Sequence, residues 1–315
     1  MQDPTPSYVV PMRARLLAAF AAVYLVWGST YLAIRFAVET LPPLLMAGAR
    51  FTTAGLILLL WARARGQSPT RADWRTGFVS GVLLLVGGNG GVAWAEQRVP
   101  SGITAVLVAI VPVLMVLLDW LRPGGRRPHA LVVVGLALGL AGFGLLVGEG
   151  GAGNSSVNLT GALVLAFASL SWAAGSLYTK HAPRASSGLG GAATQMICGG
   201  LSLAVVGSLA GEIATFDPAH VSTRSLLGML YLITFGSLVG FTAYVYLLNH
   251  TTAAKASTYA YVNPVVAVFL GWVIGHESVT LRTLAAAAII LSGVAIITIA
   301  RDRDVSIESE ARAAA

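Results

Sequence analysis

Apolar residues run along this chain in long blocks separated by short polar stretches, and the alternation of a β-strand is nowhere sustained. A helix that crosses a hydrocarbon core needs about 20 such residues. That ruler marks ten spans, at 16–35, 43–61, 76–95, 101–120, 129–148, 158–179, 188–210, 225–248, 256–275 and 281–300. The pattern predicts an all-α integral membrane protein with ten transmembrane helices. The missing period-two pattern argues against a barrel. The expected organisation is a tail over 1–15, five helices within 16–150, five more within 151–300, and a second tail over 301–315. The Gly/Ser/Asn stretch 149–157 is the natural linker between the halves.

The two halves are copies of one unit. At an offset of 145, Trp27 falls on Trp172, Arg35 on Lys180, Arg50 on Gln195 and Gly55 on Gly200. At an offset of 152, Pro112 falls on Pro264, Val113 on Val265 and Trp120 on Trp272. Loop insertions absorb the seven-residue difference. An odd number of spans per copy sends the second copy into the membrane from the opposite face. Inverted repeats of this kind mark carriers, with the solute site near the midplane between the halves.

Composition agrees with the pattern and removes other classes. Hydrophobic residues are 56% of 315, charged residues 10%, and mean hydropathy is +0.77, whereas a soluble domain carries about 25% charged residues. A net charge of +7 invites a nucleic-acid reading. The basic residues lie instead in short loops between apolar spans, where they set orientation. Of the 20 lysines and arginines, Arg35, Arg98, Arg224 and Arg282 fall on one side, Arg50 inside a span, and the remaining 15 on the other. Both termini are therefore expected in the cytoplasm. The lone Cys198 excludes a disulfide framework.

Several polar and aromatic residues lie inside spans. Pro112 and Pro264 free carbonyls at Val108 and Ala260, either as paired hinges beside a central path or as kinks that serve packing. Asn263 must face the bundle, because lipid would leave its amide unsatisfied. It can bond a solute or the helix backbone beside Pro264. Ser257, Tyr261 and Pro264 share one helix face, and Tyr259 lies with Asn263 on the neighbouring stripe. The Gly87-Gly88-Asn89-Gly90-Gly91 run weakens its helix. Small-residue packing explains its glycines and leaves Asn89 as a site candidate. Trp27 and Trp172 lie away from the interfacial belt where tryptophan is enriched. With Tyr31 and Tyr244 they can wall an apolar cavity with polar tips, suited to aromatic or amphipathic solutes, or simply pack the halves together. Arg50 lies about 10 Å into its span by helix rise. It can neutralise a solute carboxylate, snorkel outward, or pair with Glu39 or Glu96, and the pair is favoured.

In its repeat, its prolines and the segment TTAAKASTYAYVNPVVAVFLGWVIGHESVTLRTLAAAAIILSGVAII, the chain resembles the drug/metabolite transporter superfamily, EamA type. The likeness rests on Pro264, Glu277, Thr280 and Gly293 in the second half and on Trp27, Pro42, Arg50, Pro112 and Gly142 in the first. The first half has Arg122 where a glutamate is expected after the fourth span. The resemblance implies a ten-helix carrier of small metabolites, often an exporter, and within the superfamily the chain resembles YddG-type exporters of aromatic and other amino acids.

Every carboxylate falls at a span end or in a loop, including Glu39, Glu96, Asp119, Glu212 and Glu277. Intramembrane proton relays use buried titrating groups, so tight proton coupling is not expected. The weaker alternative is that Glu96 titrates from a wet vestibule. The histidines are scattered without a metal-ligand pair, which argues against an enzyme. No cofactor or metal is expected. The expected partners are a small-molecule substrate and the lipid bilayer, with no nucleic acid, and the sequence sets no oligomeric state. The reading is an inner-membrane, multi-pass exporter or facilitator of neutral and aromatic amino acids working by alternating access. A nucleotide-sugar or sugar-phosphate exchanger and a non-transporting scaffold are the alternatives.

Overall fold

A computed structural model describes residues 12–122, 130–147, 158–183, 187–251 and 258–313. Every regular element among them is helical. Among the described residues seven helices are long and apolar enough to cross a membrane, and three shorter apolar helices fall at the fifth, ninth and tenth expected spans. In chain order these are α1 (Met12–Ala37), α2 (Pro43–Ala64), α3 (Arg71–Ala95), α4 (Ser101–Leu121), α5 (Ala130–Val147), α6 (Leu159–His181) and α7 (Gly188–Leu209). Then come α8 (Thr223–Tyr231, Leu232–Val239 and Gly240–His250 in succession), α9 (Tyr259–Val273) and α10 (Leu281–Ala313). The last runs on through the stretch expected to be a tail. The expected linker 149–157 and Ser257 lie outside the described residues.

Outward faces are apolar. Leu56 and Leu60, Leu163 and Phe167, Leu201 and Val205, and Leu226 and Leu230 are exposed at helical spacing, as expected where lipid replaces water as solvent. Depressions of about 420 and 430 Å³ lie on such faces, one lined by Leu227, Leu230, Tyr231, Thr234 and Phe235 and one by Arg71, Trp74, Arg75, Phe78 and Val79.

Helix ends show what joins the halves. Local side chains cap α3 (Thr70 with Asp73), α6 (Asn158), α7 (Ser187) and α8 (Ser222), satisfying N–H groups that a first turn leaves open. Helices α2 and α4 start at Pro42 and Pro100 with no side-chain cap of their own. The other half supplies one. Glu212 accepts from Leu44 N (3.1 Å) and Leu45 N (2.8 Å). Glu277 accepts from Ser101 N (2.7 Å) and Gly102 N (3.0 Å).

The main contacts repeat when each helix is exchanged for the one five places on. Helix α2 packs on α7, α4 on α9 and α5 on α10. The α1–α9 contact is matched by α6–α4, α1–α8 by α6–α3, and α3–α7 by α8–α2. Glycine permits the closest crossing: a Cβ on Gly200 would lie 2.5 Å from Thr52 N and 2.9 Å from Gly48 O.

Candidate functional site

Three helices loosen into wide π turns, at Val23–Trp27 in α1, Val82–Gly90 in α3 and Leu232–Val239 in α8. Such turns shift the register of side chains and expose backbone carbonyls, and they concentrate at functional sites. Those in α3 and α8 begin 150 positions apart. Each receives a tryptophan from the other half. Trp172 lies on Gly88, where an added Cβ would come 2.7 Å from its ring, and Trp27 lies against Gly240, where a Cβ would meet Nε1. The related tryptophans therefore occupy related glycines and pack in separate apolar clusters.

Trp27 is the centre of an aromatic box. Its ring is 5.1 Å from Tyr244 and 4.9 Å, edge-on, from Tyr259, and the two tyrosines are 5.7 Å apart. Its Nε1 donates to Gly236 O at 3.2 Å, anchoring the ring to the π turn of α8. One turn earlier in α1, the Tyr24 hydroxyl meets Thr258 Oγ1 at 2.5 Å. Tyr31, one turn later, packs against the main core.

Other candidates take different positions. Tyr261 donates to Val294 O at 3.0 Å and so faces α10, while Tyr259 on the neighbouring stripe enters the box. Asn263 is 8% exposed, and with its amide nitrogen toward the backbone it donates to Tyr259 O (3.2 Å) and Tyr24 O (3.3 Å). It ties α9 to α1. Asn89 Nδ2 reaches Leu84 O at 3.5 Å, across the wide turn. The two prolines differ. Pro112 follows a break between Val108 and Val111, whereas Pro264 lies inside a continuous Tyr259–Val273 helix.

The ionic pairing favoured for Arg50 does not form. Glu39 pairs instead with Arg224 at 3.4 Å. Arg50, 6% exposed, donates Nε to Ser237 Oγ at 3.0 Å on the same π turn that holds Trp27. Glu96 is fully buried rather than in a wet vestibule, and among the described residues neither carboxylate oxygen has a hydrogen-bond partner. Its backbone carbonyl accepts from Arg35. Sequence position placed Glu96 at a span end; only the closed packing around that end makes it an interior group.

A bundle of apolar helices in two cross-capped halves, with an aromatic box at their junction, is the architecture of a polytopic membrane protein. The EamA-like transporter family matches the chain twice, over residues 14–148 and 159–299, and the chain belongs to that family, within the drug/metabolite transporter superfamily. It is 40% identical over 288 residues to the uncharacterized inner membrane transporter YedA of Escherichia coli (strain K12), covering 91% of each chain. It is 28% identical to the uncharacterized transporter YvbV of Bacillus subtilis (strain 168), covering 90% of this chain and 91% of that one. A solved crystal structure shares the fold with a TM-score of 0.61 at 22% identity, over 91% of this chain and 98% of that one. The protein is a multi-pass inner-membrane transporter, acting within the bilayer on a small-molecule substrate. Relatives named as transporters point to a non-enzymatic role.

Proposed function

We propose that all ten helices cross the membrane as two inverted five-helix repeats with both termini cytoplasmic, and that the chain exports small amphipathic metabolites, neutral and aromatic amino acids above all. The observation that carries this reading is the Trp27–Tyr244–Tyr259 box, tied by Trp27 Nε1 to an opened turn of α8. Aromatic faces with a few polar tips suit a solute that is apolar at one end and charged at the other. In this reading Trp27, Tyr31, Tyr244 and Tyr259 line the path, Trp172 and Asn89 form its opposite wall, and Asn263 holds α9 against α1 beside it; Ser257, the remaining candidate, lies outside the described residues. Tyr261 contributes by fixing α9 on α10.

Alternating access requires the ties at the two ends to break in turn. One end is held by Glu212, Glu277, the Arg224–Glu39 pair and the bond from Thr40 to Ser225 (2.8 Å). That end is extracytoplasmic in the proposed topology. The Tyr24–Thr258 contact and the aromatic box hold the other. Pro112 and Pro264, each lacking an amide donor, are where α4 and α9 bend during the exchange.

Uptake of labelled tryptophan, phenylalanine, threonine and methionine into liposomes carrying the purified protein tests this. Saturable uptake of at least one of them, reduced by Trp27→Ala, is expected. Exchange of a sugar phosphate with no amino-acid uptake would overturn the substrate class and leave the fold standing.

A further inference from the structure

An acidic and a basic side chain, Glu96 and Arg50, are buried at the extracytoplasmic end of the box, and no ion pair joins them. Among the described residues no nitrogen of Arg50 lies within 4.0 Å of a carboxylate oxygen, and its one hydrogen bond uses Nε, leaving both terminal amino groups of the guanidinium as donors. Glu96 is 0% exposed, with Oε1 and Oε2 both unpartnered. A buried ion without a partner is costly, and proteins keep one where a ligand completes it. Arg35, Glu277 and Tyr31 are the other titratable groups that interact with Glu96. Arg35 is engaged with the Glu96 backbone carbonyl and Glu277 with the amides of α4.

We propose that Arg50 and Glu96 are the two poles of a zwitterion site, Arg50 binding the carboxylate of an α-amino acid and Glu96 its ammonium. The inference rests on the amino-acid reading above and deepens it. Each pole supplies what the ligand lacks: a guanidinium presents paired N–H donors to a carboxylate, and a carboxylate with open lone pairs takes the three N–H donors of an ammonium. Two charge-assisted contacts of about 2.8 Å each, with the ligand's own width between them, require poles set apart rather than paired. Position does the rest. Arg50 and Trp27 hold adjacent residues, Ser237 and Gly236, of one π turn. Tyr31 follows Trp27 by one helical turn, and Arg35, one turn further along the same helix, donates to the Glu96 backbone carbonyl. A head group held between Arg50 and Glu96 therefore directs its side chain along α1 into the box. Glu96 is reached only when the helices around it part, which makes head-group binding part of the opening step.

Competition against labelled L-tryptophan in proteoliposomes tests the site on the wild-type protein, with tryptamine, which lacks the carboxylate, and indole-3-propionate, which lacks the ammonium. Each should inhibit at roughly tenfold or more higher concentration than unlabelled tryptophan. Glu96→Gln should weaken tryptophan by a similar factor and narrow the gap to indole-3-propionate. Arg50→Gln should narrow the gap to tryptamine. Glu96→Asp should keep the discrimination at lower affinity. Inhibition by either analogue at the concentration of tryptophan overturns the proposal without any variant. So does a Glu96→Gln protein with wild-type affinity that loses only accumulation driven by a pH gradient, which would make Glu96 a proton carrier. Tryptophan uptake with unchanged variants sinks the zwitterion site alone. Absence of all amino-acid uptake sinks the site and the amino-acid reading together.

Discussion

Replacing Glu277 by alanine removes the carboxylate that closes the first turn of α4 from across the molecule. The two bonds it accepts, 2.7 Å from Ser101 N and 3.0 Å from Gly102 N, are charge-assisted, and each such bond contributes about 1.5–3 kcal/mol. Favourable alignment with the helix dipole adds about 0.3–1 kcal/mol. Glu277 is only half-buried, so water recovers part of the loss, and Glu277→Ala should cost about 2–4 kcal/mol. Glu277→Gln should lose about half of that, because its amide oxygen can accept one of the bonds while its nitrogen faces the other donor. Gly271→Ala reports on the same contact from its other side, since an added Cβ would lie 2.5 Å from Glu277 Oε2. The two substitutions combined should therefore destabilise by clearly less than their sum. The assay is thermal unfolding of the purified protein in detergent, scored against wild type. A Glu277→Ala protein within about 0.5 kcal/mol of wild type would refute the reasoning, as would strict additivity with Gly271→Ala.

Gly240→Ala should push Trp27 off its glycine, destabilise by about 1–3 kcal/mol in the unfolding assay and lower tryptophan uptake per folded molecule; wild-type uptake per folded molecule would make the contact purely structural. Trp27→Phe keeps a ring but not the bond to Gly236 O, so its uptake should fall between those of wild type and Trp27→Ala. Gly200→Ala forces a methyl against Thr52 N at the α2–α7 crossing and should destabilise by about 1–3 kcal/mol in the unfolding assay. A fluorescent reporter fused after Ala315 should be bright in the cytoplasm, while alkaline phosphatase at the same place should be inactive; the reverse would invert the topology.

The apolar blocks were legible because bilayer thickness sets their length, and the repeat because its prolines and tryptophans keep their spacing. What the one-dimensional pattern could not carry is rotation and closure. A π turn changes which face a residue presents, so the box could not be assembled from ideal helical periodicity, and only the glycine run of α3 hinted at an irregular helix. The choice between Tyr259 and Tyr261 depended on how α9 is rotated against α1 and α10. Pro112 and Pro264 match in sequence, yet one follows a helix break and the other lies inside a helix, because a freed carbonyl can be accommodated in either way. Charge was read by depth along the chain, which pairs Arg50 with a nearby carboxylate. In three dimensions Arg224 takes Glu39, Ser237 takes Arg50, and the Glu96 carboxylate is enclosed with no hydrogen-bond partner among the described residues.

Counterflow tests the central claim of carrier transport most directly. Proteoliposomes are preloaded with millimolar unlabelled tryptophan and diluted into a trace of labelled tryptophan. A carrier that alternates around one site must return after each outward step, so labelled tryptophan should rise transiently above its equilibrium level and then decay. The overshoot should disappear in Trp27→Ala. Label that climbs smoothly to equilibrium regardless of the internal load would mean a pore, and label that never enters would mean that tryptophan is not a substrate.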